Sequence, residues 1–300
     1  MVGLGNVALD CARVLLKGAA EMSQTDIASR ALQQLQHSRV REVVLLGRRG
    51  VVQAAFTPKE LREALRLPGV QVDIRPRDLA VSQADRAEMA ERRISRRVHE
   101  VLSQAAEGPA SAARESGDDQ WLRHLRMRFL RSPVEVLGSK EAGVQGLRLE
   151  INRMEKGSKG QARAVGTGEV ETLPCQLVLR SIGYRSVPIP GLPFDPVKGV
   201  ANNWGGRVVT GDGQLVRGLY ASGWLRRGPT GIIGTNLVDA EEVVDNILAD
   251  LREGRLSRGP GEDRGWAGLE RLLRGRGSRI VSWEVSTPGL WEGTPRRVPG

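Results

Sequence analysis

The sequence predicts an α/β protein whose first domain is Rossmann-like, with helices packed on a parallel sheet. A glycine turn at residues 3–8 leads into a helix with apolar periodicity. The run from Glu42 to Leu46 is short, apolar and bounded by Gly47, which is typical of a strand buried on both faces of a parallel sheet. Strand and helix patterns then alternate along the chain, as βαβ units require.

The helices of this domain are predicted from periodicity and from their start signals. Residues 7–16 predict the first helix, and residues 82–106 predict one strongly basic helix. Between them, Thr57 is a candidate N-cap, followed by Pro58 at the first helical position and Glu60 at the capping-box position. The apolar face predicted for the first helix carries Val7, Cys11, Val14 and Leu15.

The rest of the chain predicts an antiparallel ribbon and then a second domain. Prolines and glycines crowd together near residues 188–191, which indicates a domain boundary. We therefore predict domains at residues 1–188 and 189–275, with a disordered tail at residues 276–300. The remaining predicted elements are ribbon strands at 143–154 and 162–173, a buried strand at 177–182, a strand at 218–221 and a helix at 239–251.

The composition narrows the classes of partner and cofactor. The formal net charge of +10 favours anionic partners without saying which. Nucleic acid is not favoured, because the basic residues lack interleaved aromatics or a recognition motif. The two cysteines form no C-x-x-C and the three histidines have no ligand spacing, so we predict free thiols and no metal site. No run approaches the roughly 18 apolar residues of a membrane span, and no signal or transit peptide precedes the first motif.

The glycine turn has the G-x-G-x-x-A form that accommodates a dinucleotide pyrophosphate. Gly3 permits the tight strand-to-helix turn, Gly5 lets the backbone approach the phosphates, and Ala8 lets the helix pack closely on the strand. The amides at the start of the helix then face the anion. Small residues are common at such turns, so an ordinary structural turn is the alternative.

A second candidate phosphate site follows the strand that ends at Leu46. Arg48 and Arg49 stand where a dinucleotide fold meets the adenosine ribose, and arginine there receives the 2′-phosphate of NADP. The alternative is a solvated basic turn. The spacing from the glycine turn exceeds the usual roughly 20 residues, and an inserted helix at residues 26–35 accounts for the difference.

Two further features indicate ligands or partners. Residues 221–236 form a second glycine-rich strand-to-helix turn, in which Trp224 either stacks on a ring or fills the core, the core role being slightly favoured on physical grounds. On the basic helix, like charges at i, i+4 spacing oppose helix stability and thus suggest an anionic partner, with a solvated face as the alternative. The charges are those of Arg92, Arg93, Arg96 and Arg97.

Five motifs in this order resemble the adrenodoxin reductases and their bacterial ferredoxin–NADP reductase relatives. They are GLGNVALD at 3–10, LGRRG at 46–50, AFTPKELRE at 55–63, SIGY at 181–184 and GWLRRGPTGII at 223–233. The resemblance implies an NADP-binding first domain and, after it, the C-terminal part of an incomplete FAD-binding domain. It also implies an upstream glycine turn for FAD, which this sequence does not contain, so we expect an N-terminally truncated chain.

The resemblance also assigns roles to individual residues. Residues 4–7 would hold the NADP pyrophosphate, the paired arginines its 2′-phosphate, and Glu60 would contact the cofactor nearby, although a capping box explains Glu60 without a ligand. The basic helix would dock an acidic iron–sulfur ferredoxin, with Arg93 and Arg97 aligning best. The implied NADP contacts are Gly3, Leu4, Gly5, Asn6, Val7, Arg48, Arg49 and Glu60, and the implied FAD contacts are Trp224, Gly231, Ile232 and Ile233.

The resemblance implies an activity and a location as well. The family passes a hydride from NADPH to FAD and then single electrons to adrenodoxin or another ferredoxin. The resemblance implies a mitochondrial location, in the matrix on the inner-membrane side, and allows peripheral membrane association there. The alternatives are a related flavoenzyme such as a glutamate synthase small subunit, or a non-catalytic fragment that binds NADP or ferredoxin.

Overall fold

The structure is a computed structural model that describes residues 1–107, 123–156, 162–231, 233–256 and 265–281. The chain divides into two compact units, Met1–Gly183 and Tyr184–Gly300. This division lies a few residues before the boundary that the prolines and glycines predict. Of the predicted tail, residues 276–281 are described and residues 282–300 lie outside the described part.

A parallel sheet forms the centre of the first unit, as predicted. Its strands are β1 (Glu42–Leu46), β2 (Val70–Ile74) and β3 (Arg123–Arg128), with β3 between the other two. Val2 extends the sheet, because it bridges in parallel to Leu46 on one side and to Arg180 on the other. Five segments of the chain therefore lie side by side, and their shared direction brings their carboxyl ends to one edge.

Six α-helices of the first unit are described, and two sequence predictions need correction there. The first helix buries an alanine and leucine stripe (Ala8, Leu9, Ala12 and Leu16) and leaves Val7 half exposed, because small residues let it approach the sheet closely. The predicted basic helix is interrupted at Arg92, whose backbone is extended. The helices are α1 (Asn6–Leu16), α2 (Ala19–Met22), α3 (Ser29–Gln36), α4 (Pro58–Ala64), α5 (Gln83–Glu91) and α6 (Arg93–Glu107).

An antiparallel sheet follows the parallel one. It comprises β4 (Arg131–Ser139), β5 (Gly143–Lys156) and β6 (Ala162–Pro174), in that spatial order. The predicted two-stranded ribbon corresponds to β5 and β6, and β4 is an additional strand. The predicted buried strand at 177–182 is wrong, since Leu177 is 57% and Ile182 is 66% exposed. Within the described residues only Val2 pairs with this segment, so it forms an edge rather than an interior strand.

The second unit contains small antiparallel pairings followed by helices. The predicted strand and helix are both present, and the helix begins earlier than predicted. Within the described ranges no helix is long and apolar enough to cross a membrane. The elements are β7 (Phe194–Asp195), β8 (Val200–Ala201), β9 (Asn203–Trp204), β10 (Arg207–Val209), β11 (Leu215–Tyr220), α7 (Trp224–Arg227), α8 (Ile233–Arg252) and α9 (Trp266–Gly275).

The Asp250 carboxylate joins α8 to β10 and β11. It accepts hydrogen bonds from the Arg207 guanidinium at 2.7 and 2.8 Å and from the Tyr220 hydroxyl at 2.6 Å. These bonds lower the pKa of Asp250. Burial, and then the hydrogen bond to Asp250, raises the pKa of Tyr220 to about 12. The side chains of the helix and the strands are therefore linked by one charged group.

Candidate dinucleotide site

The glycine turn and the arginine turn lie next to each other at the carboxyl edge of the parallel sheet. The Gly3 N–H donates to the Leu46 carbonyl at 2.8 Å, and the Leu46 N–H donates to the Met1 carbonyl at 2.9 Å. Leu4 packs directly over Gly47, where an added Cβ would overlap the leucine side chain. The first turn therefore contacts the residue that precedes Arg48.

The conformation of the glycine turn leaves room above it. Gly3 has φ +135° and lies so close to the Ser181 carbonyl that an added Cβ would overlap it. A Cβ on Gly5, in contrast, would have no atom within 4 Å. Because the first N–H groups of a helix have no intrahelical acceptor, α1 presents donors next to this space. The turn thus offers both the donors and the space that a pyrophosphate requires.

The arginine turn has a fixed backbone and exposed charges. The Arg48 carbonyl accepts a hydrogen bond from Asn152 Nδ2 at 2.8 Å, and the Arg49 carbonyl accepts one from the Leu130 N–H at 3.1 Å. Both arginine side chains are exposed. Among the described residues, neither guanidinium has an ion-pair or hydrogen-bond partner. Two uncommitted cations are therefore held beside the glycine turn.

A third segment, leading into α4, is joined to the glycine turn. The Ala55 N–H donates to the Leu4 carbonyl at 2.8 Å, and the Thr57 N–H donates to Asn6 Oδ1 at 2.9 Å. Thr57 is the N-cap of α4 as predicted, with Pro58 following it, but its hydroxyl accepts no capping bond. The capping box predicted for Glu60 is wrong, because Asn6 takes the N–H that Glu60 would have accepted.

Two polar atoms of this segment are left without partners. Glu60 Oε2 and Thr57 Oγ1 are buried atoms that make no hydrogen bond within the described part of the chain. A buried acceptor without a donor is unfavourable by about 1–3 kcal/mol, and more when it is charged. These two groups are therefore suited to a ligand that carries hydrogen-bond donors.

The four arginines of the predicted basic helix fall into two classes. Arg92 lies between α5 and α6 and contacts Glu88 at 3.1 Å, and Arg96 contacts Glu100 at 3.8 Å. Arg93 and Arg97, one helical turn apart on α6, are exposed and have no partner among the described residues. The prediction of four arginines on one helix is corrected to three, of which Arg96 pairs with an acidic side chain of the described part.

In the second unit, Trp224 does not fill the core. It is 48% exposed, and its ring stacks on that of Tyr184 with centroids 5.6 Å apart and planes inclined by 29°. The core role favoured for Trp224 on physical grounds is therefore wrong. Gly231 has φ +95° and precedes α8, while Ile232 and the side chain of Ile233 lie outside the described part.

Sequence reasoning missed Asp239, which organises the turn around Trp224. This buried carboxylate accepts hydrogen bonds from the Ser222 hydroxyl at 3.0 Å, from the Gly223 N–H and from Arg226 at 3.0 Å. Burial alone would raise the pKa of Asp239, but these bonds and the neighbouring arginine charges lower it. The signal was an acidic residue at the start of the predicted helix at 239–251.

A parallel sheet with a glycine turn and a basic turn at adjacent strand ends is the arrangement found in dinucleotide-binding α/β proteins. The chain is homologous to NADPH:adrenodoxin oxidoreductases, which confirms the family resemblance. It is 46% identical over 293 residues to the mitochondrial enzyme of Arabidopsis thaliana and 44% identical over 291 residues to that of Homo sapiens. These matches cover 95% of this chain in both cases, and 59% and 57% of the relatives.

A solved structure supports the same relationship. The structure of Mycobacterium tuberculosis FprA in complex with NADPH matches with a TM-score of 0.75 and 39% identity, over 91% of this chain and 56% of that chain. No protein-family model matches the chain. The chain therefore spans a little over half the length of the relatives that it matches.

Proposed function

We propose that the first unit binds NADP(H), with the pyrophosphate at residues 3–7 and the 2′-phosphate at Arg48 and Arg49. The supporting observation is the contact of Leu4 with Gly47, which joins the two turns. A guanidinium pair can bind a phosphate dianion through charge-assisted hydrogen bonds. NADH lacks this phosphate, so the arginines favour NADPH over NADH.

The second part of the proposal is FAD-dependent transfer of electrons from NADPH to adrenodoxin or another ferredoxin. The names of the relatives, NADPH:adrenodoxin oxidoreductase and NADPH-ferredoxin reductase FprA, support it. When bound, FAD would accept a hydride and supply electrons one at a time. In this chain the exposed ring of Trp224, held by Tyr184, is suited to contact a flat cofactor, and residues 231–233 would complete that contact.

The third part concerns the protein partner and the location. Arg93 and Arg97, which are exposed and have no ion-pair partner in the described ranges, would offer their charge to an acidic iron–sulfur ferredoxin, with Arg92 and Arg96 in supporting positions. A mitochondrial location is supported by the names of the plant and animal relatives, whereas FprA comes from a bacterium. The proposal of peripheral association with the inner membrane rests on that location alone.

Two measurements on the purified full chain test the proposal. Titration with NADPH and with NADH should show clear preference for NADPH, and equal affinities would remove the 2′-phosphate site. Visible absorbance should show flavin after incubation with FAD and gel filtration. A chain that prefers NADPH but retains no flavin would be the non-catalytic nucleotide-binding alternative.

A further inference from the structure

Asn6 links the glycine turn to the start of α4, across 51 residues of sequence. Its side-chain oxygen accepts the Thr57 N–H at 2.9 Å. We propose that Asn6 is a positioning residue that keeps the Glu60 carboxylate and the Thr57 hydroxyl available to the nucleotide. This inference rests on the proposed NADP(H) site and adds a role for a side chain that need not touch the nucleotide.

The argument begins with a competition for one hydrogen-bond donor. A glutamate three residues after an N-cap ordinarily turns back to accept the N-cap N–H. The sequence of α4 places Glu60 at that position relative to Thr57. Asn6 already holds this N–H, so Glu60 has no local donor, and its Oε2 atom is buried without a partner among the described residues.

The position of these groups indicates the chemistry of what they bind. The hydrogen bond from Ala55 to Leu4 holds the approach to α4 against the glycine turn, beside the open space over Gly5. A carboxylate can only accept hydrogen bonds. Glu60 therefore requires a ligand with donors of its own, such as the ribose hydroxyls or the carboxamide of a dinucleotide.

A double-mutant cycle on the full chain tests the role of Asn6. In Asn6→Ala, Glu60 is free to turn back and cap Thr57, so the affinity for NADPH should fall about tenfold, the effect of one lost charge-assisted hydrogen bond. Glu60→Ala should cause a similar loss. Without Glu60, loss of Asn6 can no longer withdraw a carboxylate from the nucleotide. The double variant Asn6→Ala/Glu60→Ala should therefore bind NADPH no more weakly than Glu60→Ala alone.

The matched control combines Asn6→Ala with Arg48→Ala, whose effects should multiply because the two side chains act on different parts of the nucleotide. Two results would overturn the inference: an unchanged affinity for NADPH in Asn6→Ala, or losses of affinity that multiply in Asn6→Ala/Glu60→Ala. If Asn6→Ala does not fold, Asn6→Ser takes its place, because its shorter side chain also releases the Thr57 N–H.

Amide hydrogen exchange at Thr57, measured without nucleotide, provides an independent readout. The amide should stay protected in Asn6→Ala, because Glu60 replaces the acceptor, and should become exchangeable in Asn6→Ala/Glu60→Ala. Rapid exchange in Asn6→Ala alone would contradict the competition. If the variants show this exchange pattern but the native chain does not bind NADPH, the proposed function is refuted and the competition for the N–H stands.

Discussion

Removal of Arg48 or Arg49 should weaken binding of NADPH and leave binding of NADH unchanged. Both guanidinium groups are exposed and unpaired among the described residues, so no internal partner has to be broken before they bind a phosphate. A hydrogen bond to a charged group contributes about 1.5–3 kcal/mol. Solvent screening favours the lower end of that range. Each alanine substitution should therefore weaken NADPH binding about 10- to 30-fold.

Equilibrium titration of each variant with both nucleotides measures this effect. Arg41→Ala is the matched control, because Arg41 precedes β1 and lies at the opposite end of the strand, roughly 20 Å from Arg48 at 3.3 Å per residue. Its guanidinium donates to the Ser38 and Val40 carbonyls and to no other group in the described part of the chain. Two results would refute the assignment of the 2′-phosphate. One is that Arg48→Ala lowers the affinities for NADPH and NADH by the same factor, and the other is that Arg41→Ala weakens NADPH binding as much as Arg48→Ala does.

Three further predictions follow from particular contacts. Gly3→Ala should lower the free energy of unfolding by about 2 kcal/mol in chemical denaturation, whereas Gly5→Ala, with open space around its Cβ, should preserve stability and weaken NADPH binding. The pKa of Tyr220 is raised from 10.0 to about 12, so the stability it contributes is complete below pH 10 and is lost as the pH rises toward 12. Tyr220→Phe should flatten that part of the stability profile, and an unchanged profile would contradict the linkage. Arg93→Glu should reduce salt-sensitive capture of an acidic ferredoxin more than Arg96→Glu does, because Arg96 already contacts an acidic residue; equal losses would contradict this.

The strand between β1 and β2 shows why part of the fold escaped prediction. In β3, Leu125 and Met127 alternate as a buried strand requires, but three arginines in the same strand obscure the pattern. Arg128 is nevertheless buried, because its guanidinium donates to Asp73 on the neighbouring strand at 2.9 Å. Sequence periodicity counts an arginine as polar and does not register an ion pair with a strand more than 50 residues away. The neighbouring strand β1 was predicted correctly, because its residues 43–46 are all apolar.

The buried face of a helix was harder to predict than the position of the helix in the sequence. The start of α4 was evident from Thr57 and Pro58, and α1 from its periodicity, yet the buried face of α1 was misassigned. Apolar character alone favours Val7 and Val14, whereas the contact with the sheet selects Ala8 and Ala12 for their small size. Which stripe is buried depends on how closely two elements approach, and that distance is set by residues distant in sequence.

Glu60 illustrates the same limit where it bears on function. Locally, its position relative to Thr57 is fully explained by a capping box, and no residue near it in sequence argues otherwise. The competing acceptor is Asn6, which reaches Thr57 only because parallel strands bring the glycine turn and α4 to one edge of the sheet. The sequence alone assigns Glu60 to capping α4. The long-range hydrogen bond from Thr57 to Asn6 prevents this, and it leaves Glu60 Oε2 without a donor among the described residues. Where a local motif is complete in sequence but unformed in the fold, the released group is the one to test for a ligand.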